Sequence, residues 1–131
     1  MLNRGYAALR QYREADVSSL VAEASPHRLI AMLYDGALER LALAASGISF
    51  GNTESKLRGI DSTMAILDHL RAVLDFKAGG AIAERLAALY DYMMRRLLHA
   101  KLNNDASAVL EVMTLLRTVK AGWDAIAPTA A

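Results

Sequence analysis

The sequence predicts an all-α protein that folds as an antiparallel up-down-up-down four-helix bundle with a short N-terminal helical segment. Four segments of similar length repeat apolar residues every three or four positions, which is the period of an amphipathic helix. Helix-breaking residues fall in a few short stretches between these segments. No stretch alternates apolar and polar side chains as a half-buried strand does. Helices of similar length with short connections are typical of such a bundle.

Length, composition and charge narrow the class of protein. The chain has 131 residues, enough for one buried core, and we assign residues 1–131 to a single domain. It contains no cysteine, which excludes disulfides and cysteine-based zinc sites. Fifteen basic and 14 acidic residues leave a net charge of +1, which disfavours nucleic acid as a partner. No apolar run has the length of a membrane span or of a signal peptide core, so we expect a cytoplasmic protein without membrane insertion.

The first predicted helix runs from Pro26 to about Ser46. Ser25 is a good N-cap, because its hydroxyl can accept a hydrogen bond from a free backbone N–H of the first turn. Pro26 suits the first helical position, where its missing N–H has no cost. The apolar stripe predicted to face the core is Ile30, Leu33, Ala37, Leu41 and Ala44.

The second predicted helix runs from about Thr53 to Phe76, and the third runs from about Gly80 to Leu102. The pair Gly79–Gly80 is expected to form the turn between them. The core stripe of the second helix is Leu57, Ile60, Met64, Leu67 and Leu74. The core stripe of the third helix is Ile82, Leu86, Leu89, Met93, Leu97 and Ala100.

The fourth predicted helix begins after Asn104 or Asp105, both of which are acceptable N-caps. Its core stripe is Val109, Val112, Leu116, Val119, Trp123 and Ile126. The spacing of the stripes in the third and fourth helices approaches the 3.5-residue repeat of knobs-into-holes packing. This spacing supports the bundle over other all-α folds.

The tripeptide Leu-Tyr-Asp occurs twice, at Leu33–Asp35 and at Leu89–Asp91. In the predicted topology the first and third helices point the same way, so Tyr34 and Tyr90 should lie at similar heights. Helical geometry would place each leucine in the core stripe, each tyrosine about 100° further round on its shoulder, and each aspartate toward water. Coincidence, a repeated packing solution and a duplicated site that lines a groove for a partner all remain open at this point.

The sequence lacks the motifs of the common enzyme and metal-site classes. Three histidines, His27, His69 and His99, fall on three different segments. There is no Glu-x-x-His pair of the di-iron bundles, no His-Glu-x-x-His motif, no phosphate-binding glycine loop and no Gly-x-Ser-x-Gly elbow. We therefore predict no catalytic residues, no metal, no cofactor and no enzymatic activity.

The helices carry more apolar surface than one core needs. On the third predicted helix a second apolar set is Ala83, Ala87, Tyr90, Met94 and Leu98, and on the first it is Leu29, Met32, Leu38 and Leu43. Five internal methionines are spread over all four helices, and flexible thioethers suit surfaces that accept amphipathic helices. A wide apolar face on several helices favours a protein partner.

Several motifs together resemble one known family. They are the N-terminal Tyr6 and Tyr12, ASPHRLIAMLYDGALERL at Ala24–Leu41, the Leu74–Asp75 pair, Gly79–Gly80, LAALYDYMMRRL at Leu86–Leu97, and the late Trp123. In this combination, over nearly its whole length, the chain resembles the FliS family of flagellar export chaperones. The pairing of a Ser-Pro-initiated LYDGA helix with a later LYDYM helix is the specific part of the resemblance.

The resemblance implies a nucleotide-independent cytoplasmic chaperone. Such a protein binds the disordered C-terminal segment of flagellin, prevents its premature polymerisation and supports its export by the flagellar type III secretion system. Components of the export apparatus and regulatory proteins are further candidate partners. Together with the apolar surplus, it gives these candidate partner-binding residues: Tyr6, Leu9, Tyr12, Met32, Tyr34, Asp35, Ala87, Tyr90, Asp91, Met94 and Leu98.

Two further expectations concern the apolar face. The alternative to a chaperone is a self-associating structural bundle whose extra apolar face closes in a dimer, and we expect a monomer or a weak homodimer.

Tyr6, Leu9 and Tyr12 recur every three residues, on one side of a short helical turn. Such a short helix is only marginally stable in water by itself. We therefore expect residues 1–16 to dock as a removable lid on the apolar groove that the partner would use.

Overall fold

The computed structural model describes residues 25–128, which form four α-helices. Helix α1 spans Pro26–Ser49, α2 spans Thr53–Ala72, α3 spans Phe76–Asn103 and α4 spans Ala106–Ala125. Connections of two or three residues join them, and no strand occurs in this part of the chain. The predicted all-α class and the four helices are confirmed. The predicted N-terminal helical segment lies outside the described residues.

Each helix begins at a polar side chain that accepts a backbone N–H of the first turn. Ser25 Oγ accepts a hydrogen bond from the backbone N–H of Arg28 at 3.1 Å. At the start of α2, Asn52 Oδ1 accepts one from the backbone N–H of Ser55, also at 3.1 Å. Asp75 caps α3 at 2.9 Å, and Asp105 caps α4 with bonds of 3.0 and 3.3 Å. Because the first four N–H groups of a helix lack internal partners, these side chains fix where the helices start. The caps at Ser25 and Asp105 confirm the sequence predictions.

The helices form a closed ring in which each packs antiparallel against its neighbours in sequence, and α4 packs against α1. Two ion pairs show that α2 and α3 run antiparallel. Arg71, near the end of α2, bonds Asp91 near the middle of α3, and Asp61, ten residues earlier in α2, bonds Lys101, ten residues later in α3. Helices α1 and α3 are therefore parallel and diagonal to each other. The up-down-up-down topology is confirmed.

The core stripes of α1 and α3 match the prediction in their second halves and differ from it in their first halves. Tyr34 and Tyr90 are each only 1% exposed, whereas Leu33 and Leu89 are half-buried and Ile82 is 69% exposed. The fully buried positions on these helices are Ala31, Tyr34, Ala37, Leu41, Ala44 and Gly47 on α1, and Ala83, Ala87, Tyr90, Met93, Leu97 and Ala100 on α3. The placement of the leucines in the core and the tyrosines on the shoulder was wrong. Small alanines flank both tyrosines, which leaves room for two aromatic rings between the diagonal helices.

The boundary between α2 and α3 also differs from the prediction. Helix α2 ends at Ala72 rather than Phe76, and α3 begins at Phe76 rather than Gly80. The Asp75 cap starts α3 early, and Gly80 then interrupts it with φ 50° and ψ −127°. Only glycine adopts this backbone region readily, so the expected turn is a kink inside α3.

Helices α1 and α2 approach most closely at two glycines. A Cβ on Gly59 would lie 2.6 Å from the backbone nitrogen of Ala44, and a Cβ on Gly47 would lie 2.8 Å from the carbonyl oxygen of Asn52. Near them, the nearly buried Lys56 Nζ donates to the carbonyl of Lys101 at 3.1 Å. Lys56 thereby satisfies a carbonyl in the last turn of α3, where a positive charge is favourable.

Candidate partner-binding site

An apolar cleft of about 390 Å³ opens at one end of the bundle. At this end α1 and α3 begin, and α2 and α4 end. The cleft is lined by Ile30, Tyr34, Leu70, Val73, Leu74, Asp75, Ala78, Gly79, Ile82, Ala83, Leu86, Tyr90 and Trp123. We call it the end cleft. Its mainly aliphatic and aromatic lining suits apolar side chains of a partner rather than a charged ligand.

The deepest residues of the end cleft are the two tyrosines of the repeated tripeptide. Their hydroxyl oxygens lie 2.6 Å apart, so one hydroxyl donates a hydrogen bond to the other. Burial raises the pKa of both Tyr34 and Tyr90, because a phenolate would be poorly solvated there. The tyrosines of the repeated tripeptide, 56 positions apart, therefore form one buried contact between the diagonal helices.

One wall of the end cleft joins the end of α4 to the start of α1. The indole ring of Trp123 stacks on the imidazole of His27, with ring centroids 4.4 Å apart and an interplanar angle of 5°. The indole N–H also donates to the carbonyl oxygen of His27 at 2.9 Å. His27 Nε2 is buried and has no hydrogen-bond partner within residues 25–128. Trp123 thus fixes the position of this wall by stacking and by a hydrogen bond.

The opposite rim of the end cleft exposes large apolar side chains. Val73 is 49% exposed and Ile82 is 69% exposed, and both line the cleft. They belong to the α2–α3 connection and to the kinked first turns of α3. Apolar side chains clustered at the mouth of an apolar cleft are typical of a protein interaction site.

A second apolar cleft, of about 480 Å³, lies between α1 and α2 on the outside of the bundle. Its lining residues are Leu29, Met32, Leu33, Gly36, Arg40, Ile66 and His69. Tyr34 and Tyr90, which line the end cleft, are absent from this set.

The structure divides the predicted partner-binding residues among several surfaces. Tyr34 and Tyr90 meet at the end cleft, and Ala87 is buried one turn before Tyr90. Met32 lines the second cleft instead. The remaining predicted positions within residues 25–128 are Asp35, Asp91, Met94 and Leu98, and Tyr6, Leu9 and Tyr12 lie outside the described residues.

The two predicted aspartates form ion pairs with neighbouring helices. The Oδ1 atom of Asp35 lies 3.4 Å from the Nζ atom of Lys120 in α4. Asp91 accepts two bonds from the Arg71 guanidinium, at 2.7 and 3.1 Å, and these bonds lower the pKa of the Asp91 carboxyl. On α3 the next turns after Tyr90 carry Met94, which packs against the core, and Leu98, which is 47% exposed.

Sequence reasoning missed part of the end cleft. Ile30, Ile82 and Leu86 were assigned to core stripes, and Leu70 and Val73 were not singled out. The available signal was the run of apolar residues past the last turn of α2, where no helix remains to bury them. Periodicity describes helix faces and is silent on residues that meet at helix ends.

No group of three or more potential metal ligands occurs in the part of the chain that the structure describes. Among the same residues, none of the helices combines the length and apolar character that crossing a membrane requires.

Comparison with known proteins decides the family. Residues 7–130 match the family model described as "Flagellar protein FliS". The chain belongs to the FliS family. A relative from Salmonella typhimurium, "Flagellar secretion chaperone FliS", is 42% identical over 125 residues, which cover 95% of this chain and 93% of the relative. "Flagellar secretion chaperone FliSB" of Pseudomonas aeruginosa is 41% identical over 119 residues, covering 91% and 94% respectively.

A relative with lower identity also matches most of the chain. "Flagellar secretion chaperone FliS" of Bacillus subtilis is 31% identical over 103 residues, covering 79% of this chain and 76% of the relative. The resemblance found in the sequence motifs is confirmed. FliS is a family of chaperones and not of enzymes, which confirms the expectation that the chain has no enzymatic activity.

Proposed function

We propose that this FliS-family chain is a cytosolic chaperone that binds the disordered C-terminal segment of flagellin. Binding would prevent premature polymerisation and keep the segment available for export by the flagellar type III system. The observation that carries the proposal is the apolar end cleft on a chain whose relatives are named flagellar secretion chaperones. Components of the export apparatus and regulatory proteins are further candidate partners.

The end cleft has properties that a disordered partner needs. A disordered segment loses conformational entropy when it orders, so it must bury apolar side chains to offset that cost. The cleft offers apolar walls from all four helices and a rim that includes Val73 and Ile82. We infer that a helical turn of the partner places its apolar side chains there.

We further propose that the bound segment continues from the end cleft along α3. Tyr90, Met94 and Leu98 follow one another at intervals of four residues, and exposure rises from 1% at Tyr90 to 47% at Leu98. The ion pair of Asp91 with Arg71 lies beside this row and holds α3 against α2.

Calorimetry with a peptide of flagellin's C-terminal segment tests the proposal. We expect one peptide per chaperone, a negative heat-capacity change from apolar burial, and affinity that changes little between two salt concentrations. Ile82→Asp should weaken binding at least tenfold, because it places a charge on the apolar rim. The matched control is Leu110→Asp on α4, a similarly exposed position outside the cleft lining, which should bind like the wild type.

The oligomeric state is measured on the same samples by sedimentation. We propose a monomer or a weak homodimer that becomes a one-to-one complex with the peptide. A stable dimer that Ile82→Asp dissociates and that ignores the peptide would contradict the chaperone proposal. That outcome would support the alternative of a self-associating structural bundle.

A further inference from the structure

We propose that the Tyr34–Tyr90 hydroxyl pair supplies a hydrogen-bond donor to a neutral oxygen acceptor of the segment bound in the end cleft. The inference rests on the proposed function and deepens it. It assigns the pair as a specificity determinant in a cleft that otherwise selects only for apolar character.

The two hydroxyls of the pair have more protons to donate than their mutual hydrogen bond uses. Each phenol hydroxyl has one proton to donate and lone pairs to accept with, so the pair holds two donors. The 2.6 Å bond between the two oxygens uses one of them. Among residues 25–128, this is the one hydrogen bond that either hydroxyl forms. One hydroxyl proton is therefore left without an acceptor from these residues.

The surroundings make this unused donor consequential. Both tyrosines are 1% exposed, and around them the end cleft presents Ile30, Leu70 and Leu86. A buried donor without a partner loses the free energy of solvation that it had in water. A bound segment that brings an acceptor regains it, whereas a purely apolar occupant does not.

The chemistry of the cleft selects the kind of acceptor. Asp75 lines the cleft, and its carboxylate would repel an anionic side chain. The apolar lining also disfavours the burial of a charge. A neutral oxygen fits instead, such as a backbone carbonyl at the end of a helix or the amide of asparagine or glutamine.

The bond within the pair strengthens the donor. The hydroxyl that accepts from its neighbour becomes more polarised and donates its own proton more strongly, an effect that a low-dielectric site enhances. Two tyrosines in contact are therefore a better donor than one tyrosine alone.

The double variant Tyr34→Phe/Tyr90→Phe tests the role of the pair. Removing both partners of a buried hydrogen bond while keeping the ring shapes has little effect on stability, so the melting temperature should stay near that of the wild type. Affinity for the flagellin C-terminal peptide should fall about tenfold, with a less favourable binding enthalpy. The matched control is Tyr92→Phe, whose hydroxyl bonds Glu111 and which is not part of the cleft lining. Its affinity should be unchanged.

The outcomes separate this inference from the proposed function. If the wild type binds the peptide and the double variant binds equally well, the hydroxyl pair only supports the core and the inference is overturned. If the wild type does not bind, the proposed function fails and the inference fails with it. If the double variant does not fold, the single variants replace it. At least one must then lose about tenfold in affinity, and wild-type affinity in both overturns the inference.

Discussion

The indole nitrogen of Trp123 lies 2.9 Å from the carbonyl oxygen of His27, a residue 96 positions earlier in the chain. The same two residues stack their rings. The contact therefore joins the last turns of α4 to the first turn of α1, and it builds one wall of the end cleft. The integrity of the cleft depends on helix ends that are far apart in sequence.

Trp123→Phe should lower the free energy of unfolding by about 1 kcal/mol, because it removes one hydrogen bond and keeps an aromatic ring for stacking. Trp123→Ala should cost more, since it also removes the stacked ring. Urea denaturation followed by circular dichroism measures both variants. Wild-type stability in Trp123→Phe would mean that stacking alone fixes the wall.

The buried tyrosine pair should resist ionisation at high pH. Burial raises the pKa of Tyr34 and Tyr90, and the unfolded chain ionises near the ordinary value of about 10. The folded state then holds more protons above that pH, so the stability from this pair is complete below about pH 10 and is lost as the pH rises. An ultraviolet titration should show tyrosinate from the pair appearing only together with alkaline unfolding.

The double variant Tyr34→Phe/Tyr90→Phe is the control for that titration, because it lacks the tyrosinate absorbance of the pair and keeps that of Tyr92, whose pKa the hydrogen bond to Glu111 also raises. Titration of the pair well before the helical circular dichroism signal declines would contradict the expectation.

Acid should weaken the contact between α3 and α4. Hydrogen bonds from Tyr92 and Arg96 lower the pKa of the Glu111 carboxyl. A carboxyl with a lowered pKa in the folded state adds stability above its unfolded pKa, and that stability is lost as the pH falls through the folded pKa. Between pH 7 and pH 3, the melting temperature of the wild type should fall by more than that of Glu111→Gln. Glu84→Gln, at an exposed position on α3, is the control and should follow the wild type.

Two glycine-to-alanine variants should change stability in opposite directions. Gly59→Ala should lower the free energy of unfolding by about 1–3 kcal/mol, because its Cβ meets the backbone of α1 and forces the helices apart. Gly122→Ala in α4 should raise it by about 0.5–1 kcal/mol, since its Cβ meets open space and alanine favours the helix. Chemical denaturation measures both. Equal effects of the two variants would contradict the close approach of α1 and α2.

Deleting residues 1–16 tests the lid hypothesis, which concerns a segment outside the described residues. We expect the deletion to raise the binding of an apolar dye, reduce solubility and tighten flagellin binding. A lid that is closed about 90% of the time lowers apparent affinity roughly tenfold. Trp123 is the single tryptophan of the chain and lines the end cleft, so its fluorescence reports occupancy. Unchanged dye binding, emission and affinity would contradict the lid.

The sequence predicted the number, order and direction of the helices because their periodicity and caps are local signals. It also predicted that Tyr34 and Tyr90 lie at one height. It did not predict which residues face the core in the first halves of α1 and α3, since Ala83 and Ala87 are as apolar in a pattern as Leu86 and Leu89. Side-chain size determines which residues face the core there. Two tyrosine rings between diagonal helices require alanine around them, and this requirement appears only when the helices are packed together.

The end cleft was less predictable than the bundle. Its lining comes from the ends of four helices and from Val73 in a connection, so no single helix face contains it. The early start of α3 depends on the competition between the Asp75 cap and the Gly79–Gly80 pair. Both are valid signals, and the cap starts the helix while Gly80 kinks it.

The glycine contacts between α1 and α2 and the Lys56 bond to α3 lie at the end of the bundle opposite the cleft. Local opening has a lower free energy where few buried contacts must break, so the turns around the cleft should open more often than the glycine end. Backbone amides near Gly47 and Gly59 should then exchange hydrogen only through global unfolding. Amides around the kink at Gly80 should exchange through small fluctuations. If the end cleft binds the partner as proposed, that end can rearrange repeatedly while the opposite end keeps the four helices in register.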